Sequence, residues 1–119
     1  MREHRRQQQN AALVEEIDLL EEQLGRFDIE FDSLEALSPK HERVRQRCMR
    51  AALRLTGDTD MARQLARTGR LPVSQLAKAS GVPIKTIEKF RKYIITIAII
   101  YINDYSGIAA FLPEERRNT

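Results

Sequence analysis

Lys85, Lys89 and Lys92 recur at spacings of four and three, with Thr86, Glu88 and Arg91 between them. On a helix that spacing gathers the ammonium groups on one side, a surface suited to polyanion phosphates. Thr86 and Glu88 add a hydroxyl and a carboxylate, which can hydrogen-bond to base edges. The bland alternative is a solvated face, on which Glu88 and Lys92 form an i,i+4 pair that supports only the helix itself. A second cationic set is Arg43, Arg47, Arg50 and Arg54, at spacings of four, three and four. Four guanidinium groups on one face repel one another, and a nearby anion relieves that repulsion. Three readings of this stripe stand open: phosphate contact beside the lysine helix, docking to an acidic protein surface, or plain solvation. Nothing in the chain pairs a nucleophile with a base, and no glycine-rich loop cradles a phosphate, so no catalytic residue and no enzyme is expected. His41 has no Asp, Cys or second His at ligand spacing. Cys48, the sole cysteine, lies on an apolar stripe and is expected to be a buried small hydrophobe. No metal site, cofactor or small-molecule substrate is expected.

The elements that must hold these residues are written into Val73 to Lys92, VSQLAKASGVPIKTIEKFRK. Leu76 points inward from a first helix, and small Ala77 lets a second helix cross close by. Gly81, four residues on, supplies the positive φ of a tight turn. Val82 plugs the angle between the helices, and Pro83 pre-sets φ for the start of the second. Ile87 and Phe90 bury its inner face and leave Lys85, Glu88, Lys89 and Lys92 outside. The offsets predict a helix-turn-helix over residues 72–102 with a basic recognition face.

The run after it, YIITIAIIYI, is β-branched and locally favours a strand. Nothing between Ile84 and Ile102 breaks a helix, however, and Ile87, Phe90, Ile94, Ile97 and Tyr101 continue one stripe. One long recognition helix is therefore expected, buried nearly all round in its second half. Upstream, Leu13, Ile17, Leu20 and Leu24 mark a helix over about residues 3–24, with Gly25 as a left-handed stop. Phe27, Ile29 and Phe31 are read as an extended connector that plugs the core. Asp32 or Ser33 caps a turn through Leu37. Ser38-Pro39 then predicts an N-cap and first-turn proline of a longer helix. Its buried face is Val44, Cys48, Ala51, Ala52 and Leu55, and Gly57 stops it. Asp58 opens a helix that carries Met61, Leu65 and Ala66 and ends at Gly69. The fold class is all-α: a small helical bundle containing a helix-turn-helix with a long recognition helix.

Charge is segregated along the chain. The net of +3 over 119 residues conceals −8 across residues 13–37, +6 across 38–70 and +4 across 71–102. Whether the acidic stretch folds over the basic one is left open by the sequence. Domains run at roughly 100–200 residues, which gives one here: a flexible basic start at 1–12, a helical DNA-binding domain at 13–112 and a flexible tail at 113–119. The lone thiol fits a reducing, cytoplasmic setting. No apolar run reaches the roughly 20 residues of a bilayer span, and the start lacks the apolar region of a signal peptide, so no membrane insertion is expected.

Three stretches, LEEQLGRFDIEFDSLEAL, SPKHERVR and RLPVSQLAKASGVPIKTIEKFRKYIITIAIIYINDY, together resemble the C-terminal domain of sigma-I type RNA polymerase sigma factors, over about residues 13–112. The resemblance implies a helical domain that recognises the minus-35 element of promoter DNA through its helix-turn-helix. It also implies RNA polymerase core and a membrane-anchored anti-sigma factor as partners. Lys85, Thr86, Glu88 and Lys89 are then the candidates for base or nearby phosphate contacts. Arg91, Lys92 and the arginine stripe are candidates for phosphates or partners. Family members commonly open the recognition helix with Ser-Arg; Pro83 and Ile84 stand there here, so a charged contact is missing. The promoter-melting domain of a complete sigma factor is not expected within 119 residues. The chain is thus expected to be an excised domain or a short homologue. A protein-interaction module and a stand-alone helix-turn-helix regulator are the alternatives.

Overall fold

The chain is described by a computed structural model that covers residues 2–112, with side chains from residue 11 onward. The expected tail at 113–119 lies outside the described residues, as do Met1 and the side chains of most of the expected basic start. The elements are α1 (Arg2–Gly25), a 3₁₀ turn (Phe31–Ser33), α2 (Leu34–Leu37), α3 (Glu42–Gly57), α4 (Thr59–Thr68), α5 (Val73–Ser80), α6 (Ile84–Lys89), α7 (Arg91–Ile102) and α8 (Ser106–Ala109). The described residues contain helices and turns and no strand, as the all-α reading requires.

The core forms around α7. Tyr93 through Ile100 are all buried, which is possible only because α7 is covered on several sides, by α1, α2, α3, α6 and α8. Packing thus overrides the strand propensity of YIITIAIIYI. The one polar group in this run, the Thr96 hydroxyl, donates to Lys92 O at 2.8 Å, so it enters the core satisfied. The most extensive helix–helix contact is α3 on α7, where Cys48, Met49, Ala51, Ala52 and Leu55 are buried. The small Ala51 and Ala52 let the two helices approach closely. Met49 was not expected on this face, and Val44 is only half-buried.

Helix ends depart from the expectations in instructive ways. Gly25 is the last residue of α1 and has no positive φ; the left-handed residue is Asp28, φ 60°. Ile29 N–H reaches Leu24 O at 3.0 Å and Asp28 N–H reaches Gly25 O at 3.2 Å, the paired bonds of a Schellman end. Its accompanying apolar contact joins Leu24 to Ile29, and both are buried. The segment after α1 is therefore a turn with Ile29 as its plug, and Phe27 and Phe31 lie half-buried beside it. The same device closes α7: Asp104 has φ 55°, Tyr105 N–H bonds Ile100 O at 3.0 Å, and Asp104 N–H bonds Tyr101 O at 3.2 Å. In both cases burial of the following residue selects the turn, and Asp tolerates the left-handed backbone. Gly69 (φ 71°) and Gly81 (φ 76°) do end their helices as expected. Gly57 is simply the last residue of α3, and Asp58 caps α4 by accepting from Met61 N–H at 3.0 Å. Ala66 of α4 is exposed rather than buried.

Two further expectations are corrected. Ser38-Pro39 does not start α3. Ser38 is extended (φ −71°, ψ 136°), as a residue before proline prefers, and its side chain hydrogen-bonds Tyr93 of α7 instead of capping. The helix begins at Glu42, after His41, whose carbonyl accepts the first bond, from Arg45 N–H at 3.0 Å. The Arg45 guanidinium also donates to Pro39 O (3.1 Å) and Lys40 O (2.8 Å). Those bonds satisfy the carbonyls of the connecting loop and hold it in place.

The second correction concerns the long helix expected over 84–102. It is interrupted at Phe90, whose φ of −108° and ψ of 27° leave the helical region. Phe90 N–H still bonds Thr86 O, and Ile94 N–H bonds Phe90 O, each at 3.0 Å. The helix is interrupted without loss of its hydrogen-bond ladder. No proline or glycine signals this interruption, since the break falls where exposed α6 gives way to buried α7.

Candidate nucleic-acid interface

Helices α5 and α6 are joined by Gly81, Val82 and Pro83. Gly81 N–H bonds Ala77 O at 2.9 Å and turns the chain through the left-handed region. The Ser80 hydroxyl accepts from Val82 N–H at 3.2 Å and fastens the turn. Leu76, Val82 and Ile87 are buried, so the angle between the helices is filled as the offsets predict. The opposite side of α6 is solvent-facing: Ile84, Lys85, Glu88 and Lys89 are exposed, and Thr86 is half-buried.

The candidate residues do not all share one helix. Lys85, Thr86, Glu88 and Lys89 belong to α6, whereas exposed Arg91 and half-buried Lys92 begin α7 beyond the break. Glu88 and Lys92 thus lie in different helices, and their expected pairing along one helix does not apply. Lys89 lies over the Phe90 ring, its Nζ 5.4 Å from the centroid, a cation–π placement that restrains the ammonium beside the break.

Helix α3 runs along the flank of this pair. Its stripe contains Arg43, Arg50 and Arg54, all exposed, and half-buried Arg47. Arg50 and Arg54 line a shallow recess with Ala79 and Ser80 at the end of α5. At the other end of α3, a groove of about 290 Å³ is walled by Pro39, Lys40, His41 and Val44 on one side and by Lys85, Thr86, Lys89 and Phe90 on the other. Lys40 and His41 are therefore brought beside α6, which sequence reasoning missed. The available signal was Ser38-Pro39, which forces an extended loop, together with Arg45 at the right distance to pin it. Cationic side chains far apart in the chain thus line recesses near both ends of α3.

Elsewhere the titratable groups are quiet. Burial pushes the Cys48 thiol up to about 12, so it stays protonated and inert. Burial likewise raises Tyr93 and Tyr105, the former opposed by its hydrogen bond to Ser38 and the latter by its bond to Gln23. Among the described residues no three His, Cys, Asp or Glu side chains converge on a metal-sized site, and no helix is long and apolar enough to cross a membrane. The acidic helix α1 has α7 and α8 as its helix neighbours. Its Glu16 carboxylate accepts from Ile108 N–H at 3.0 Å and Gly107 N–H at 3.4 Å. The Tyr105 hydroxyl donates to Gln23 Oε1 at 2.7 Å on the same seam.

Fold and site together define a small all-α domain with a short cationic helix held out by a tight glycine turn and flanked by a second cationic helix. Comparison with known proteins finds sigma-factor relatives. The chain is 37% identical over 110 residues to the RNA polymerase sigma factor SigI of Bacillus subtilis, a match to 92% of this chain and 44% of that protein. It is 33% identical over 100 residues to sigma factor SigI7 of Acetivibrio thermocellus, covering 84% of this chain and 43% of the relative. It is 31% identical over 110 residues to SigI of Bacillus anthracis, covering 92% and 46%. No family model matches the chain. Over the segment it spans, the chain matches the C-terminal portion of SigI-type sigma factors, as the sequence resemblance implied. It spans less than half the length of these relatives, which are sigma factors and not enzymes.

Proposed function

We propose that this chain is the promoter-recognition domain of a SigI-type sigma factor and that α5 and α6 act as a helix-turn-helix. The observation that carries this reading is α6 itself: Ile87 is fully buried against the domain while Lys85, Glu88 and Lys89 face solvent behind the Gly81 turn. In the proposed complex α6 enters the major groove. Lys85, Thr86, Glu88 and Lys89 meet base edges or adjacent phosphates, and Arg91, Lys92 and the α3 arginines hold the backbone. Lys40 and His41 join the phosphate contacts. The partners are promoter DNA, at its minus-35 element, and RNA polymerase core, and the setting is the cytoplasm. The test is fluorescence anisotropy of the chain on promoter duplexes against random duplexes, with and without RNA polymerase. A salt-sensitive preference for promoter sequence is expected. Equal binding to all duplexes in both arms overturns the proposal.

A second reading, a surface for a membrane-anchored anti-sigma factor or for RNA polymerase, is favoured by a different observation. A largely apolar groove of about 520 Å³ runs between α1, α2, α7 and α8, lined in part by Phe31, buried Tyr93 and 77% exposed Phe111. Unchanged capture of either partner by Phe111→Asp and Phe31→Asp overturns it.

A further inference from the structure

Ile84 is an aliphatic side chain, 47% exposed, on the solvent-facing side of α6. Exposed Pro83 precedes it and exposed Lys85 follows it, while Glu88 lies one turn further along the same side. It is the only apolar side chain among the four exposed residues of α6, which are Ile84, Lys85, Glu88 and Lys89. It does not help hold the two helices together, because Leu76, Val82 and Ile87 already fill that angle. A butyl group cannot bond a phosphate or a base nitrogen or oxygen. Among the groups that base pairs present in the major groove, one is apolar: the 5-methyl of thymine.

We propose that Ile84 reads a thymine in the bound duplex by burying that methyl group, so that this chain recognises by apolar contact what a charged residue would recognise by hydrogen bonding. The proposal rests on the reading of α6 as the DNA-facing helix. It also assigns the specificity: Pro83 supplies no N–H donor, and neither its ring nor the Ile84 side chain can hydrogen-bond. At this end of the interface, discrimination between A·T and G·C therefore comes from the methyl alone. Lys85 next door provides the charge that keeps the backbone near.

The test begins with selection of a preferred duplex from a random pool. Each thymine is then replaced in turn by deoxyuridine, which removes the methyl and leaves every hydrogen-bonding group in place. Binding should weaken about fourfold at one or two positions, the fold-change that about 0.8 kcal/mol of lost methyl burial produces at 1.4 kcal/mol per tenfold. Ile84→Ala should bind thymine and deoxyuridine duplexes alike, while Ile84→Val should keep most of the discrimination. Both variants alter an exposed side chain, and circular dichroism checks that they fold. A preferred duplex in which every deoxyuridine is neutral overturns the Ile84 proposal and leaves the promoter-recognition reading standing. The same holds if the deoxyuridine penalty persists unchanged in Ile84→Ala. Failure to select any preferred duplex, both with and without RNA polymerase, overturns both.

Discussion

Helices α6 and α7 are separated by one residue, Phe90, and have opposite surroundings. In α6 only Ile87 is buried and the other side chains meet solvent or a groove wall, whereas α7 buries every residue from Tyr93 to Ile100. Stability is thus concentrated in one helix and the candidate ligand chemistry in the other. The break at Phe90 is where the chain passes from the surface helix α6 to the buried helix α7. The contrast teaches that a surface helix six residues long is held by its neighbours: Ile87 anchors it, the Gly81 turn sets its angle, and the core beneath does the rest.

The sharpest way to break this division is to truncate each side of it. Ile94→Ala or Ile97→Ala removes a fully buried side chain from α7 and should destabilise the fold by about 2–5 kcal/mol in urea titrations. A loss below about 1 kcal/mol would mean that the core is not centred on α7. Lys85→Ala and Lys89→Ala should leave the urea midpoint within about 0.5 kcal/mol of the parent, yet weaken binding to the preferred duplex by about 1–3 kcal/mol if the residue reads a base. Loss of stability without loss of binding would reverse the assignment. Smaller still, Asp58→Ala removes the acceptor for Met61 N–H and should lower stability by about 0.5–2 kcal/mol without touching DNA affinity. The mildest effect is with pH. An unfolded Cys48 thiol loses its proton near 9.0, whereas in the fold it keeps it to about 12. The unfolded state alone gains from ionisation in that interval, so stability should be intact below about pH 9 and fall as pH rises toward 12. Cys48→Ala should flatten part of that decline; an unchanged alkaline slope in the variant would show that the thiol is not responsible.

Much of this division was legible in the residues. The αα-turn offsets from Leu76 to Ile87, the positive φ at Gly81 and Gly69 and the Asp58 cap follow from local chemistry, and the helical state of YIITIAIIYI follows, against its local strand propensity, from the apolar stripe that Ile87 and Phe90 continue into it. The failures share a different cause. Gly57 does end α3, but Gly25 supplies no left-handed stop, because burial of Ile29 puts that conformation at Asp28. Ser38 was a natural N-cap, but its hydroxyl found Tyr93, more than fifty positions away in the chain. The break at Phe90 carries no local signal, because nothing in the residues from Glu88 to Lys92 opposes a helix.

The sequence by itself determined the helices, the αα-turn and the cationic character of its second half, since these depend on periodicity, on backbone preference at Gly and Pro, and on charge count. Only the tertiary structure decided that the helix expected over 84–102 is interrupted at Phe90, that Lys40 and His41 join Lys85 and Lys89 in one groove, and that Glu16 caps α8 by way of Gly107 and Ile108. Those are juxtapositions of residues remote in the chain, set by which surfaces pack together, and local propensity carries no information about them.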